Sequence, residues 1–133
     1  MSKLQITYDG SGHCTARQKA QGKTVAIDCP YAGGKEFSPT NLVGAGLASC
    51  MLLSMGTLAV RDKLDISGTC VDVELSITDK PIKRIGAIDL TFNMPTNFAA
   101  ADRVKLESAA GKCPIKNSFH SEVPIFVSFN YPE

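Results

Sequence analysis

SPTNLVGAGLASC, residues 38–50, is the stretch of sequence that decides the fold. Ser38 suits the N-cap of a helix, and Pro39 suits the first helical position, where its missing N–H costs no hydrogen bond. Glycine inside a helix costs about 1 kcal/mol relative to alanine, so the recurring small residues indicate close packing against another backbone. We predict a helix that begins here and runs to about Lys63.

This helix falls within a run without charged residues, from Phe37 to Val60. Such a run is long enough to cross a membrane. It contains three glycines and several hydroxyl side chains, however, and segments with strand-like alternation flank it. A helix that is apolar on all sides is buried either in lipid or in protein. We interpret this one as the core helix of a protein without a membrane partner.

Alternating apolar and polar residues predict strands on both sides of the helix. Three short strands precede it, and Leu4, Ile6 and Tyr8 alternate in the first of them. A hairpin with one buried and one wet face follows it. The apolar residues of the hairpin are Val71, Val73, Leu75 and Ile77 in one strand and Ile88, Leu90, Phe92 and Met94 in the other.

The end of the chain predicts a second helix, a short helix and a closing strand. The second helix extends from about Pro95 to Gly111, a natural C-cap, and Cys113-Pro114 opens the short helix. Apolar residues at every second position mark the closing strand, namely Ile125, Val127, Phe129 and Tyr131. Strands and helices are segregated, which predicts the α+β class with antiparallel sheets around two main helices. A chain of 133 residues without a linker predicts one domain, residues 1–133.

Composition and charge exclude several classes of function. The net charge is +1, from 14 basic and 13 acidic residues, which gives no electrostatic reason to expect a nucleic acid or an anionic membrane as partner. The N-terminus lacks the apolar core of a signal peptide, so we expect a cytoplasmic protein. Five cysteines without tight spacing then predict mostly reduced thiols rather than a disulfide framework.

Two cysteines are candidates for chemistry, because only the thiolate is nucleophilic. Cys113 precedes Pro114 at a predicted helix start, where backbone N–H groups favour a negative charge, and Lys112 and Lys116 add cations. We therefore expect Cys113 to be the most activated thiol. Cys50 lies in the middle of the apolar helix, and the commoner fate of such a cysteine is that of a small core residue.

Both cysteines lie in segments that resemble the two motifs of the OsmC/Ohr family. Residues 38–50 resemble its helix of small residues, which begins with proline and carries a cysteine. Cys113-Pro114-Ile115-Lys116-Asn117 resembles its second motif, Cys-Pro followed by a short helix. The intervening order of strand, strand and helix is also similar, and the resemblance covers nearly the whole chain. It implies an OsmC-like fold that forms an intertwined homodimer with active sites at the subunit interface.

The resemblance further implies a thiol-dependent peroxidase that reduces organic hydroperoxides. The cysteine that matches Cys50 is the peroxidatic residue and becomes a sulfenic acid. The cysteine that matches Cys113 is the resolving residue and condenses with it to a disulfide. An external dithiol, such as a lipoylated protein, reduces that disulfide. The resemblance implies neither a metal nor a bound cofactor.

The chain departs from the family at the residues that activate the attacking cysteine. In the family a glutamate follows the proline of the helix and pairs with an arginine from the N-terminal strands. Thr40 stands at the glutamate position in this chain. Arg17 is the only arginine before residue 61, so it is the candidate counterpart, and His13 is as close in sequence. A solvated strand residue is the alternative interpretation of Arg17.

Two further hypotheses follow from this departure. The first is a non-catalytic OsmC-like module that binds a small apolar ligand beside Cys50 or senses redox state through its cysteines. The second is a structural or interaction protein in which both cysteines are inert.

Overall fold

The computed structural model describes residues 3–133, which form two α-helices and six strands. In chain order these are β1 (Leu4–Gly10), β2 (His13–Gln18), β3 (Thr24–Asp28), α1 (Pro39–Arg61), β4 (Cys70–Thr78), β5 (Arg84–Asn93), α2 (Ala100–Ala110) and β6 (Ile125–Asn130). Short 3-10 helices lie at Pro30–Ala32 and Lys116–Ser118. The predicted α+β class is confirmed. Contacts within the chain define two compact units, one ending at Val43 and one comprising Gly44–Glu133.

The first unit is an antiparallel meander in the order β1-β2-β3. Gly10 and Gly12 stand in the β1–β2 turn with φ of 93° and 74°, a region that glycine enters without steric cost. The three predicted strands are confirmed. The apolar side chains of β1 are not covered, however, since Leu4, Ile6 and Tyr8 are 62%, 55% and 69% exposed.

The sheet of the second unit has the order β4-β5-β6. The predicted hairpin is confirmed, because β4 and β5 pair antiparallel. The expectation that all sheets are antiparallel is wrong, since β6 pairs parallel to β5. The physical reason is the connection: α2 carries the chain back across the sheet, and such a crossover brings the next strand in parallel.

The core of the second unit lies between the two helices and β5. One face of α1 is buried there, and its residues are Gly44, Leu47, Ala48, Met51, Met55 and Ala59. They belong to one apolar cluster with residues of the β5 segment and of α2. The β5 segment contributes the predicted inward residues Ile88, Leu90, Phe92 and Met94, and α2 contributes Leu106 and Ala110. A Cβ atom on Gly44 would stand 2.8 Å from Leu75 Cδ1, so this glycine permits the close approach of α1 to β4.

The length and composition of α1 would also allow it to cross a membrane. This is weak evidence, because the core helix of a soluble protein passes the same test, and 33% of the apolar window is buried inside the protein. The mixed burial of α1 fits a helix that packs on one face only.

Three local predictions differ from the structure. α2 begins at Ala100 rather than near Pro95, because the intervening residues form a turn in which Phe98 N–H donates to the Thr96 carbonyl. The short helix begins at Lys116, so the Cys113-Pro114 pair lies just before it, separated by Ile115, rather than starting it. Ile77 does not point inward as predicted and is 45% exposed. The pairing is irregular here, because Gly86 of β5 is an extra residue between the partners of Ser76 and Ile77.

We expect the core between α2 and β5 to decide the stability of the protein. Leu106→Ala should lower the free energy of unfolding by about 2–5 kcal/mol, because it leaves a cavity at a fully buried position. Val104→Ala on the exposed side of the same helix is the matched control and should change it by no more than about 0.5 kcal/mol. Urea denaturation measures both. Equal losses in the two variants would contradict the described packing of α2.

Candidate functional site

Cys50 lies in the middle of α1, half-buried, beside an open groove of about 440 Å³. The groove is lined by Gly46, Ser49, Cys50, Leu53, Ser54, Thr57 and Ile115. None of these lining residues is charged. The adjacent residue Met51 is almost fully buried. Since consecutive residues of a helix are about 100° apart around its axis, Cys50 lies at the border between the buried face of α1 and the groove.

Cys113 lies behind this border and is fully buried in the apolar core of the second unit. It follows α2 after a short turn, and the chain then folds back over its sulfur. The backbone N–H of Lys116 donates to Cys113 Sγ over 3.3 Å, and that of Ile115 also points to the sulfur. The Asn117 N–H donates to the Cys113 carbonyl. The Cys-Pro motif therefore forms a compact turn whose donors face one thiol.

The thiol of Cys50 lies near enough to that of Cys113 to affect its pKa. Burial raises the pKa of the Cys113 thiol above its usual value, and the hydrogen bond and charge of Cys50 raise it further. The N–H groups of Lys116 and Ile115 act in the opposite direction but are outweighed. Cys113 is therefore a protonated thiol at neutral pH, able to donate its proton to the sulfur of Cys50.

The expectation that Cys113 is the most activated thiol is thus wrong. Its neighbours in sequence do supply backbone donors, as predicted, but removal from water penalises the thiolate more strongly than those donors favour it. Both cysteines are free thiols in the structure.

The two predicted supporting residues belong to the first unit. Thr40 lies in the first turn of α1, where its hydroxyl group is hydrogen-bonded to that of Ser38 over 3.1 Å. Arg17 is an exposed residue of β2 and pairs across the sheet with Gln5 and Thr24. Supporting roles for Thr40 and Arg17 stay predictions.

His13, the other candidate in the N-terminal strands, is part of a charged pair. Its Nδ1 is hydrogen-bonded to the Asp28 carboxylate, which raises the pKa of His13 and lowers that of Asp28. The backbone N–H groups of Lys35 and Glu36 also donate to that carboxylate. The pair fixes the loop after β3 against β2.

Sequence reasoning did not identify the residues that line the groove beside Cys50. Ser49, Ser54 and Thr57 donate their hydroxyl protons to carbonyls of the preceding helical turn, so only their oxygen lone pairs remain for a ligand. Ser54 follows Cys50 by four residues and Thr57 follows Ser54 by three, a spacing that could have placed them on one side of α1 with Cys50. Ile115 offered no comparable signal.

Comparisons with known proteins agree with this architecture. The sequence profile of the OsmC-like protein family matches residues 32–128. A match over most of the chain establishes membership, so this chain belongs to the OsmC-like family.

Individual relatives are more distant. The organic hydroperoxide resistance protein of Xanthomonas axonopodis pv. citri is 24% identical over 132 residues, covering 86% of this chain and 90% of the relative. A solved structure from Psychrobacter arcticus, described as an osmotic stress induced and detoxification response protein, has a TM-score of 0.90 at 26% identity and covers 98% of this chain and 96% of that one. The organic hydroperoxide resistance protein OhrB of Bacillus subtilis shares the fold, with a TM-score of 0.73 at 18% identity and 98% of each chain covered.

We expect the ultraviolet absorbance of the thiolate, followed against pH, to report the environment of Cys113 without a reagent that must reach it. The titration midpoint that disappears in Cys113→Ser should lie above the usual cysteine value of about 8.5. Cys50→Ala should lower that midpoint, because the neighbour that raises the pKa of Cys113 is removed. Cys70→Ser, at an exposed site, is the control and should leave it unchanged. A Cys113 midpoint below about 8.5, or a midpoint that does not change in Cys50→Ala, would contradict the described environment of Cys113.

Proposed function

We propose that this chain is a thiol-dependent peroxidase that reduces organic hydroperoxides, with Cys50 as the peroxidatic and Cys113 as the resolving cysteine. The observation that carries the proposal is the proximity of a half-buried thiol beside a groove to a fully buried thiol behind it. The similarity to an organic hydroperoxide resistance protein from Xanthomonas supports the same activity.

The difference in burial assigns the two roles. An oxidant that enters the groove meets Cys50, whereas Cys113 has no exposed surface. Cys113 reacts only with a group carried on Cys50. The order of the two steps follows from access rather than from the acidity of either thiol.

The chemistry proceeds in two balanced steps. The Cys50 thiolate attacks the outer oxygen of the hydroperoxide ROOH, the O–O bond breaks, and the alkoxide leaves as the alcohol ROH after taking up a proton. Cys50 is then a sulfenic acid. The sulfur of Cys113 attacks the Cys50 sulfur, and the departing hydroxide takes the Cys113 proton to leave as water. The product is a Cys50–Cys113 disulfide, which an external dithiol reduces to two thiols while becoming a disulfide itself.

The protonated state of Cys113 suits the first step. In this proposal its S–H donates a hydrogen bond to the Cys50 thiolate as it forms, and hydrogen bonding to an ionised acceptor stabilises that acceptor. We propose that this hydrogen bond helps to stabilise the Cys50 thiolate, because Thr40 replaces the glutamate of the family's activating pair. Thr40 and Arg17 are the supporting residues that we propose from the family pattern.

The groove indicates the kind of hydroperoxide. Its volume lies within the range of about 300–1,000 Å³ found for small-molecule pockets, and its lining is uncharged. Leu53 and Ile115 offer apolar contact to an organic group. A neutral or weakly polar alkyl or aryl hydroperoxide therefore fits this groove better than hydrogen peroxide, which makes no apolar contact.

The exposed side of α1 supports the expected homodimer. On α1 an uncharged stripe with heptad-like spacing lies outside the core and consists of Gly46, Ser49, Leu53, Gly56 and Val60. Leu53 and Val60 are 73% and 82% exposed. A Cβ atom on Gly46 or Gly56 would meet nothing within 4 Å, so another backbone could approach there. Because this stripe includes residues of the groove, a second subunit seated on it would complete the site beside Cys50.

The proposal also includes a cellular compartment and a reductant. Five free thiols suit a reducing compartment, so we place the protein in the cytoplasm. The reductant is a small or protein-bound dithiol, with a lipoylated protein as the candidate.

One observation favours a second function, a non-catalytic module that binds a small apolar ligand or senses redox state. No charged residue lines the groove, so no lining cation activates Cys50. In this alternative the groove holds its ligand and Cys50 stays reduced in the presence of a hydroperoxide.

Reaction of the fully reduced protein with one equivalent of cumene hydroperoxide separates the two functions. We expect a Cys50–Cys113 disulfide, seen by non-reducing peptide mass spectrometry, to form faster than with hydrogen peroxide. Cys50→Ser should abolish peroxide consumption, and Cys113→Ser should accumulate a sulfenic acid on Cys50 that dimedone traps. Cys70→Ser should behave as the unsubstituted protein. A Cys50 that stays a free thiol while peroxide remains would refute the peroxidase and favour the binding module.

A separate measurement tests the second subunit. Gly56→Phe should convert a dimer to a monomer in sedimentation equilibrium, because a Cβ atom at this position meets nothing within 4 Å and the added ring would occupy the stripe. Ser108→Phe, on the exposed side of α2, is the control and should leave the mass unchanged. A monomeric unsubstituted protein, or a dimer that tolerates Gly56→Phe, would count against this interface.

A further inference from the structure

A second pocket, of about 350 Å³, adjoins the groove beside Cys50 near the C-terminal end of α1. Its lining residues are Ser54, Thr57, Leu58, Arg61, Ala109 and Lys112. Two of them, Ser54 and Thr57, also line the groove, so the two hollows are neighbours on the same side of α1. The groove has an uncharged lining, whereas both charged residues of this pocket, Arg61 and Lys112, are cations. We call it the cationic pocket.

The spacing of residues along α1 connects the cationic pocket to Cys50. Ser54, Thr57 and Arg61 follow Cys50 by four, seven and eleven residues. A rotation of 100° per residue therefore places all four within about 60° of one another around the helix axis. Arg61 lies about 16 Å beyond Cys50 along that axis, and long side chains of a helix lean back towards its N-terminus. A ligand held at Arg61 can therefore extend along this side of α1 to Cys50.

The two cations have donors to offer a ligand. Arg61 is exposed, and its Nε donates to Asp62 over 3.1 Å, which leaves the two Nη groups to a ligand. The Asp62 carboxylate is shared with Lys105, so it offsets only part of the positive charge. Lys112 is exposed and forms no ion pair among residues 3–133. Because no acidic residue lines the cationic pocket, it selects an anionic group.

The rest of the lining suits an apolar chain. The hydroxyl groups of Ser54 and Thr57 donate to carbonyls of the preceding helical turn, so their protons are not available to a ligand. Leu58 is half-buried and Ala109 is almost fully buried, and both supply apolar contact in the cationic pocket. Leu53 supplies it in the groove. The two hollows together therefore suit a ligand with an anionic group at one end and an apolar chain at the other.

We propose that the cationic pocket is a carboxylate subsite of the groove, and that the two together bind an amphipathic carboxylate of medium chain length. The paired N–H groups on the two Nη atoms of Arg61 match the two oxygens of a carboxylate, and Lys112 supplies a second cation. The chain lies over Thr57 and Ser54 and reaches the groove beside Cys50. Binding does not depend on the proposed thiol chemistry, so the test uses reduced protein without a peroxide, and its failure is distinct from a failure of the peroxidase.

Isothermal titration calorimetry with sodium octanoate tests the subsite. We expect saturable binding that is about 3–10-fold weaker in Arg61→Gln and in Lys112→Gln, the loss expected for an exposed charge-assisted pair. Lys105→Gln is the matched control, because it removes a cation that pairs with the same Asp62 but lies outside the pocket, and binding should stay within about twofold. Octanol, which lacks the charge, should bind about 10-fold more weakly than octanoate. Butyrate should also bind about 10-fold more weakly or worse, because its chain is too short to be buried in the groove.

A further variant blocks the cationic pocket without removing a cation. Thr57→Glu places a carboxylate at an exposed position four residues before Arg61, where the new pair supports the helix and occupies the subsite. We expect octanoate binding at least about 10-fold weaker in this variant, and circular dichroism checks the fold of each protein. The proposal is overturned by the absence of saturable octanoate binding, or by equal affinity for octanol or butyrate. Binding that survives Arg61→Gln, Lys112→Gln and Thr57→Glu, or a loss in Lys105→Gln as large as that in Arg61→Gln, would overturn it as well.

Discussion

The packing of one face of α1 against β5 is the contact on which the rest of the site depends. Met51 and Met55 anchor this face in the core. Their position fixes the rotation of the helix about its axis and therefore the direction of Cys50. If α1 turned by one residue, about 100°, Cys50 would point either wholly into the core or wholly to solvent. β5 has a second effect, since it leads into α2, whose end delivers Cys113 to the inner side of the same helix.

The elements with a strong local pattern were predictable from the sequence. The start of α1 follows from Ser38-Pro39, and the inward residues of β5 follow from strict alternation. The parallel pairing of β6 was not predictable, because it depends on the path of α2 across the sheet. The bulge at Gly86 in β5 was equally unpredictable, since the alternation of β4 continues opposite it in sequence and only the pairing of the two strands reveals the shift in register.

The candidate site also has features that were predictable from the sequence and features that were not. The pairing of Cys50 with Cys113 as a reactive couple came from a resemblance to two family motifs and stays a prediction, while the structure places the two thiols near each other. The acidity of Cys113 was misjudged, because Lys112, Pro114 and Lys116 are visible in sequence whereas burial is a property of the folded chain.

The full burial of Cys113 also constrains how an oxidised pair would be returned to the reduced state. In a Cys50–Cys113 disulfide the sulfur open to the groove belongs to Cys50, so an incoming dithiol attacks that sulfur and forms a mixed disulfide with it. Cys113 is then the leaving group. Thiols of high pKa leave slowly, and burial raises the pKa of Cys113. The N–H groups of Ile115 and Lys116 become the groups that ease this departure, since they receive the nascent thiolate. The Cys-Pro turn thus matters most for regeneration, the half of the cycle in which no peroxide is present.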